Sequence, residues 1–474
     1  MFGINDALRE RESQKGPIRV AIIGAGTMGG YMVHQLMTAK GMNPDIVIDV
    51  DVERAKGALT KAGIAESVLK LCHTPAEVAA TIKEGKHAYS GLAELAWTTP
   101  EIDVVVEATG NPFVYAYIAF NSIFKKKHLV SFNVEGDVVI GHILKMFADN
   151  AGVVYTGVHG DEPGVVKALY DEADALGFEI LAAGRHDYGG GNIKWNKNNA
   201  NEYLKRFKAA SVQGNLALFA SFIDGSKTNE ECAMIANATG LSPDVRGMHG
   251  PEVSFAEFPT RVPQLLDAKK NGGILHQTGV VERILPAEGP DAQPVWCFVV
   301  VRVVNELQRV FMSDMAGMGN LAGSLNPGTG GMTKAQLLDD GSGGPAQAGI
   351  FYTPYHYVAI QAPISIAQAV IYNRPTIAPI GRKRFADVMA LTKKDLKTGD
   401  IIDEIGGECV AGRVDKARVV RDGGYLPFGL AWGARVLRNI NAGEYLRWDD
   451  VALRDDRALI VQLRRLQDTL FEVA

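Results

Sequence analysis

Val20–Met37 reads VAIIGAGTMGGYMVHQLM, with four glycines inside positions 24–30. An apolar β-branched run, Ile18–Ile23, precedes them, and a stretch with helical spacing, Tyr31–Thr38, follows. Gly24, Gly26 and Gly29 fit the pattern G-x-G-x-x-G, and each has its own task. Gly24 permits the tight turn, Gly26 lets a pyrophosphate approach the backbone, and Gly29 lets the helix pack closely on the sheet. The helix start at Thr27 and Met28 offers N–H groups and a partial positive charge to the phosphates. Glycines also occur at ordinary tight turns, so the setting decides. Asp49 ends the next β-branched run about 20 residues on, where a carboxylate accepts from a ribose hydroxyl.

Asp49 also bears on the choice of dinucleotide. Its charge repels the additional phosphate of NADP, whereas Arg54 attracts it, and the balance falls on NAD. For Asp51, Glu53 and Arg54 the solvated first turn of a helix is a plainer reading than phosphate recognition. Thr109 and Gly110, in VVEATGNP, follow a further strand and neighbour the crevice where the nicotinamide half lies. Asn133, in LVSFNVEGD, joins them as a cofactor neighbour.

From Ile18 to about Asn150, IRVAIIG, DIVIDVD, IDVVVEATG and HLVSFNVEG alternate with helical patterns, the rhythm of βαβ units in a parallel sheet. Beyond them, GVVYTGVHGDEPGVVKALYDEADALGFEILAAGR repeats strand, turn, helix and strand, and VWCFVVVRVV reads as a strand buried on both faces. FKAASVQGNLALFASFIDG has helical spacing, and Ala316–Gly349 is dense enough in glycine to read as a lid or binding loop. After Ala386 short strands alternate with turn signals at Thr398-Gly399-Asp400 and Asn441-Ala442-Gly443.

A chain of 474 residues exceeds what one core of about 250–300 residues covers, so several domains are expected. The 54 acidic and 49 basic residues are well mixed and sum to −5, which leaves no basic stripe for nucleic acid. Cys72, Cys232, Cys297 and Cys409 are scattered, without a C-x-x-C pair, so a reducing cytoplasm is expected. Arg9–Glu12 interrupt the N-terminus where a signal peptide is apolar, and no run nears ~18 apolar residues, so no membrane partner is expected. Asn5 or Asp6 is expected to cap a short helix through Ser13.

Three polar clusters can carry chemistry. HGDEPG brings His159, Asp161 and Glu162 to a strand-to-helix turn, where paired carboxylates divide into acid and base or bind a divalent metal; helix capping is the plainer reading. GGGNIKWNKNN presents Lys194 and Lys197 with Asn198 and Asn199, and a lysine there polarises a carbonyl or holds an oxyanion. Tyr355-His356-Tyr357 offers a histidine for proton transfer. Arg185-His186-Asp187 can orient substrate, although a loop ion pair is the plainer reading, and Lys393, Lys394, Asp395 and Lys397 read as a solvated turn.

Through VAIIGAGTMG, VVVEATGNP and LVSFNVEGD the first third resembles the NAD-binding domain of homoserine dehydrogenases, which usually carry Asn-Lys where this chain has Asn133-Val134-Glu135. Over nearly its whole length the chain resembles the 1-deoxy-D-xylulose 5-phosphate reductoisomerase-like family. That likeness rests on NVEGD, HGDEPG, Lys197–Asn199, PYHYVAIQAPISIAQAVIYNRPT, LTKKDLKTGD and LPFGLAWGARVLRNINAGEYLRWDDV. Thr353 stands where the family generally has Arg before Pro-Tyr-His.

The resemblance implies an α/β protein with an N-terminal arm (1–16), a Rossmann-type domain (17–155), an α+β catalytic domain (156–385) and a β-rich SAF-like module (386–474). It implies NAD(P)-dependent reductoisomerase or oxidoisomerase chemistry on a sugar phosphate or sugar acid, relatives including oxidoisomerases of branched sugar acids such as apionate. Asp161 and Glu162 are then acid, base or metal ligands, Lys194 and Lys197 stabilise the oxyanion, and His356 carries a proton. A homo-oligomer acting on a small molecule is expected. A simple dehydrogenase of a small hydroxy acid or amino-acid alcohol, and a catalytically inactive NAD-binding sensor, remain open alternatives.

Overall fold

Ile18–Ile23 is buried along almost its whole length, as a parallel strand covered by helices on both faces must be. The computed structural model describes residues 3–187, 191–205, 215–287, 296–303, 305, 307–308 and 348–474. The chain is α/β, with a seven-stranded parallel sheet and a separate mixed sheet. The first sheet consists of β1 (Ile18–Ile23), β2 (Met42–Ile48), β3 (Leu69–Leu71), β4 (His87–Ser90), β5 (Val104–Glu107), β6 (His128–Ser131) and β7 (Tyr155–Gly157). Their order is β3-β4-β2-β1-β5-β6-β7, every pair parallel. The chain fills one side of β1 first and then returns to fill the other, beginning with β5. The carboxyl ends of β1 and β5 therefore flank the switch point, where open α/β sheets bind their ligands.

Two compact units emerge, and neither is continuous in sequence. The first holds Met1–Gly164, Tyr357–Pro379 and Arg457–Phe471; the second holds Val165–His356, Ile380–Asp456 and Glu472–Ala474. Apolar burial and amide hydrogen bonds explain the returns to the first unit. Ile366 and Ala367 of helix Pro363–Tyr372 are buried in one cluster with Ile18, Val20 and Ile22. Gln467 of helix Leu459–Leu470 accepts from Ile143 N at 3.0 Å and donates to Val139 O at 2.9 Å, both in helix Val134–Ala151.

The N-terminal helix runs Ile4–Lys15, with Gly3 at its cap position and no side-chain cap. Asn5 and Asp6 therefore lie inside the first turn rather than capping it, because the left-handed Gly3 (φ 78°) admits the helix earlier. Leu8 packs into the same apolar cluster, and Arg11 pairs with Asp103 at 2.7 Å. Among the described residues no helix is long and apolar enough to cross a membrane.

The mixed sheet contains β8 (Glu179–His186), β9 (Ser242–Pro243), β10 (Glu252–Val253), β11 (Val280–Pro286), β12 (Cys297–Arg302) and β13 (Ala348–Thr353). β8 is parallel to β11 and antiparallel to β12, which is antiparallel to β13. The helix expected in 207–225 is seen at Leu216–Ile223, the remainder lying largely outside the described residues. Of the glycine-dense segment only Ala348 and Gly349, which open β13, are described. Helix Ser226–Thr239 is buried at all 14 positions. It packs on β8 and β11 and on the antiparallel hairpin Ala386–Thr392 with Val410–Lys416.

Buried carboxylates give the first unit a pH dependence, Asp137 among them. The Tyr155 hydroxyl donates to Asp137 and lies 2.5 Å from the Tyr115 hydroxyl. Burial pushes the Asp137 carboxyl up to about 6, against the lowering effect of the Tyr155 hydrogen bond. A carboxyl raised in the folded state contributes stability that is present below its unfolded pKa and lost as pH rises through the folded value. Urea denaturation should show a loss on the order of 2 kcal/mol between about pH 4 and pH 7. Burial likewise pushes the Asp45 carboxyl of the same unit up to about 6, so Asp137→Asn should reduce that slope by about half; an unchanged slope would assign the titration elsewhere.

Candidate functional site

The glycine turn is packed against the neighbouring crossover. Gly24 N donates to Ile48 O and Ala108 N donates to Ile23 O, each at 2.8 Å, so the turns after β1 and β5 lie side by side. Gly24 has φ +96°, and a Cβ there would lie 2.6 Å from Ala108 O. A Cβ on Gly29 would lie 1.7 Å from Gly24 O. Gly26 differs: nothing stands within 4 Å of a Cβ built on it. Two glycines thus close the turn, and the third leaves its outer face open at the start of helix Thr27–Leu36, whose first N–H groups have no partner within the helix.

Asp49 follows β2 at the same sheet edge. One carboxylate oxygen accepts from Ala25 N at 2.8 Å and the other from Asp51 N at 3.0 Å. It braces the glycine turn, and each oxygen keeps a further lone-pair direction for a hydroxyl. Asp51 is the N-cap of helix Val52–Lys61 and accepts from Arg54 N. The Arg54 guanidinium, 56% exposed, reaches Asp51 at 3.6 Å and Asp49 at 3.9 Å.

Beyond β5, the fully buried Glu107 organises two turns. One of its oxygens accepts from Thr109 N at 2.8 Å and Thr109 Oγ1 at 2.5 Å, the other from Ser131 Oγ at 3.0 Å. Burial pushes its pKa up while these hydrogen bonds pull it down. Thr109 is therefore held through its own hydroxyl, and the neighbouring Gly110 adopts φ +67°. Ser131 Oγ also accepts from Asn133 N, and Asn133 caps helix Val134–Ala151 by accepting from Gly136 N. Its Nδ2, on a residue 2% exposed, has no hydrogen-bond partner among the described residues. An amide donor stranded in the interior is costly unless a ligand meets it.

HGDEPG follows β7, at the carboxyl edge where the glycine turn also lies. His159 is buried, its N–H donates to Ser365 Oγ at 2.7 Å, and burial pushes its ring pKa down. Gly160 has φ +90°, and a Cβ there would lie 2.6 Å from Gln361 Cβ. Asp161 is half-buried, and the buried Glu162 opens helix Glu162–Ala175, where a carboxylate complements the helix dipole.

Lys194, Lys197 and His356 belong to the second unit. Lys197 Nζ donates to Glu404 at 2.7 Å, a hydrogen bond that raises its pKa and keeps it cationic. Its N–H donates to Gly406 O, and Asn198 Nδ2 to Glu408 at 2.7 Å. Lys194 has an exposed side chain, and its carbonyl accepts from the amides of Asn196 and Asn199. His356 is half-buried, just after β13.

Two readings of the sequence need correction. Lys393 is no solvated residue: its side chain is 3% exposed, and Nζ meets Trp195 O at 2.8 Å, Gly407 O at 2.9 Å and Asp224 Oδ2 at 2.5 Å. Those three acceptors offset the cost of burying the ammonium and tie the lysine-bearing loop to the segment after Ile401. Arg185 and His186 lie in β8, and Asp187 directly follows it; all three are buried. Arg185 pairs with Glu231 of helix Ser226–Thr239. Asp187 accepts from Thr228 Oγ1 and Arg283 Nη1, each at 2.7 Å. Burial, and secondarily Arg185, push the His186 ring down to about 3. The sequence clue to this network was a helix, SKTNEECAMIANAT, whose charges leave no apolar stripe.

Residues 160–327 match the family model described as Oxidoreductase DRL, catalytic domain. No curated protein matches the chain. Among solved structures, a probable dehydrogenase from Thermotoga maritima is 15% identical, with TM-score 0.34, over 60% of this chain and 72% of that one. The myo-inositol dehydrogenase from Lactobacillus casei, in complex with NAD(H) and myo-inositol, is 14% identical with TM-score 0.32, covering 60% and 64%. A homoserine dehydrogenase from Thiobacillus denitrificans is 17% identical with TM-score 0.34, covering 48% and 49%. The catalytic-domain match makes this chain an oxidoreductase.

Proposed function

We propose that the chain binds a nicotinamide dinucleotide at the carboxyl ends of β1 and β5 and transfers hydride at a hydroxyl or carbonyl carbon of a sugar phosphate or sugar acid. A coupled 1,2-rearrangement, of the reductoisomerase or oxidoisomerase kind, belongs to the same reading. The observation that carries it is the glycine turn: two of its glycines are closed by backbone, and Gly26 alone opens outward. The stranded Asn133 Nδ2 suits a cofactor group that accepts a hydrogen bond.

The bound dinucleotide would supply the hydride carrier. The N–H groups from Gly26 to Gly29 would face its phosphates, Asp49 its ribose, and Thr109, Gly110 and Asn133 its nicotinamide half. Asp161 and Glu162 hold and move the proton, or give oxygen ligands to a divalent ion. Lys194 and Lys197 supply positive charge to a developing oxyanion, and His356 relays a proton. A cytoplasmic homo-oligomer, without nucleic acid or membrane as partner, completes the reading.

The test is turnover of a panel of sugar phosphates and sugar acids with NAD or NADP, following reduced nicotinamide and the carbon skeleton of the product. Lys197→Ala combined with Glu162→Gln should abolish turnover and leave cofactor affinity unchanged. Cofactor affinity absent from the unmodified protein would overturn the proposal. Asp49→Ala should weaken both dinucleotides, because Ala25 N loses its acceptor, and should shift the ratio toward NADP on the order of tenfold. An unchanged ratio would confine Asp49 to bracing the turn.

A further inference from the structure

We propose that Asp244, His249 and His276, in the second unit, form a binding site for a borderline divalent transition-metal ion such as Zn²⁺, Co²⁺ or Fe²⁺. Asp244 follows β9, His249 lies between β9 and β10, and His276 precedes β11. Asp244 Oδ2 stands 2.7 Å from His249 Nε2 and 3.1 Å from His276 Nδ1, and all three ligand atoms lie within 4.8 Å of one another. Tetrahedral ligands on bonds of 2.0–2.1 Å sit about 3.3 Å apart, so the two carboxylate–imidazole separations need only a sub-ångström widening to admit an ion.

An independent observation points the same way. The Asp244 side chain is 1% exposed, and its other oxygen, Oδ1, has no hydrogen-bond partner among the described residues. A carboxylate oxygen buried in that state is costly, and a cation held by the carboxylate offsets the cost. His249 is held in place by its backbone: His249 N and Gly250 N donate to the two oxygens of the buried Glu282 at 3.0 and 3.1 Å. Outer contacts of this kind fix a ligand's orientation before the metal arrives.

The donor set selects the ion. Two imidazoles and one carboxylate suit zinc, cobalt or iron(II), whereas magnesium and calcium take oxygen ligands. The His249 and His276 side chains are 19% and 55% exposed, so the remaining coordination positions face water, the arrangement of an open site. Lys269 Nζ lies 2.8 Å from His276 Nε2. An ammonium only donates, so Nε2 accepts and the ring proton sits on Nδ1, toward Asp244. Metal ligation through Nδ1 moves that proton to Nε2 and turns the exposed Lys269 away. Lys269 is therefore a competitor of the ion, which a purely structural role for the triad would not require.

The test is titration of the full-length protein with CoCl₂, read by visible absorption, and with ZnCl₂ by calorimetry, MgCl₂ serving as the oxygen-seeking comparison. One ion per chain is expected. His249→Gln and His276→Gln should each weaken cobalt and zinc at least about 100-fold, beyond the 10–100-fold typical of losing an outer contact. Lys269→Gln should tighten binding several-fold, and His73→Ala, at an exposed histidine elsewhere, should leave it unchanged. No cobalt or zinc binding by a protein with native circular dichroism would overturn the proposal. So would binding that survives both histidine variants, or magnesium binding as tight as zinc. These readouts need no dinucleotide, so they stand or fall apart from the hydride-transfer reading.

Discussion

Arg185→Met is expected to destabilise the second unit by roughly 3–5 kcal/mol, the cost of leaving one partner of a buried ion pair behind. Arg185 sits in β8 opposite Arg283 of β11 and Cys297 of β12, and neither its side chain nor that of Glu231 is exposed. Removing the guanidinium leaves the Glu231 carboxylate in a helix buried at every position. The diagnostic is the double variant. Arg185→Met with Glu231→Leu replaces both charges by apolar groups and should recover most of the loss, because well-packed apolar pairs replace buried ion pairs at little cost. Urea midpoints of the single and double variants measure both numbers. A single variant within about 1 kcal/mol of the parent would show that the pair does not brace the unit.

Gly26→Val separates folding from cofactor binding. The valine side chain starts in open space, so circular dichroism and the unfolding midpoint should match those of the parent. Dinucleotide affinity should fall on the order of 100-fold, since overpacking against a rigid backbone costs roughly 1–3 kcal/mol and each 1.4 kcal/mol is tenfold. The neighbouring glycines make poor tests, because a side chain at Gly24 or Gly29 meets backbone first and breaks the turn itself. Calorimetry that finds full NAD affinity in a folded Gly26→Val protein would overturn the assignment of the loop.

Legibility followed the range of the forces involved. The glycine turn, β1 and the turns at Gly399 and Gly443 follow from local sterics, and nearby residues reveal them. The Ser131 bond to the buried Glu107 carboxylate, the Arg185–Glu231 pair and the buried ammonium of Lys393 depend on partners far along the chain, and a charged residue alone reads as solvated. Asp244, His249 and His276 escaped notice for the same reason: no metal-ligand spacing joins them, and β9 and β11 bring them together. The parallel sheet followed from the βαβ rhythm, whereas the return of Tyr357–Pro379 and Arg457–Phe471 to the first unit did not. Helices Pro363–Tyr372 and Leu459–Leu470 carry their apolar residues at helical spacing, and nothing in such a pattern names the surface it will cover.

That return has a consequence for biosynthesis. The ribosome adds Val165–His356 between the last strand of the parallel sheet and the helix whose Ile366 and Ala367 complete its core. At about 5–20 residues per second the nascent sheet waits on the order of 10–40 s with part of its apolar face uncovered. Gln467, which bridges Val139 and Ile143, emerges later still. Premature termination anywhere before Arg457 thus releases a dinucleotide fold lacking its closing helix, a species suited to capture by chaperones.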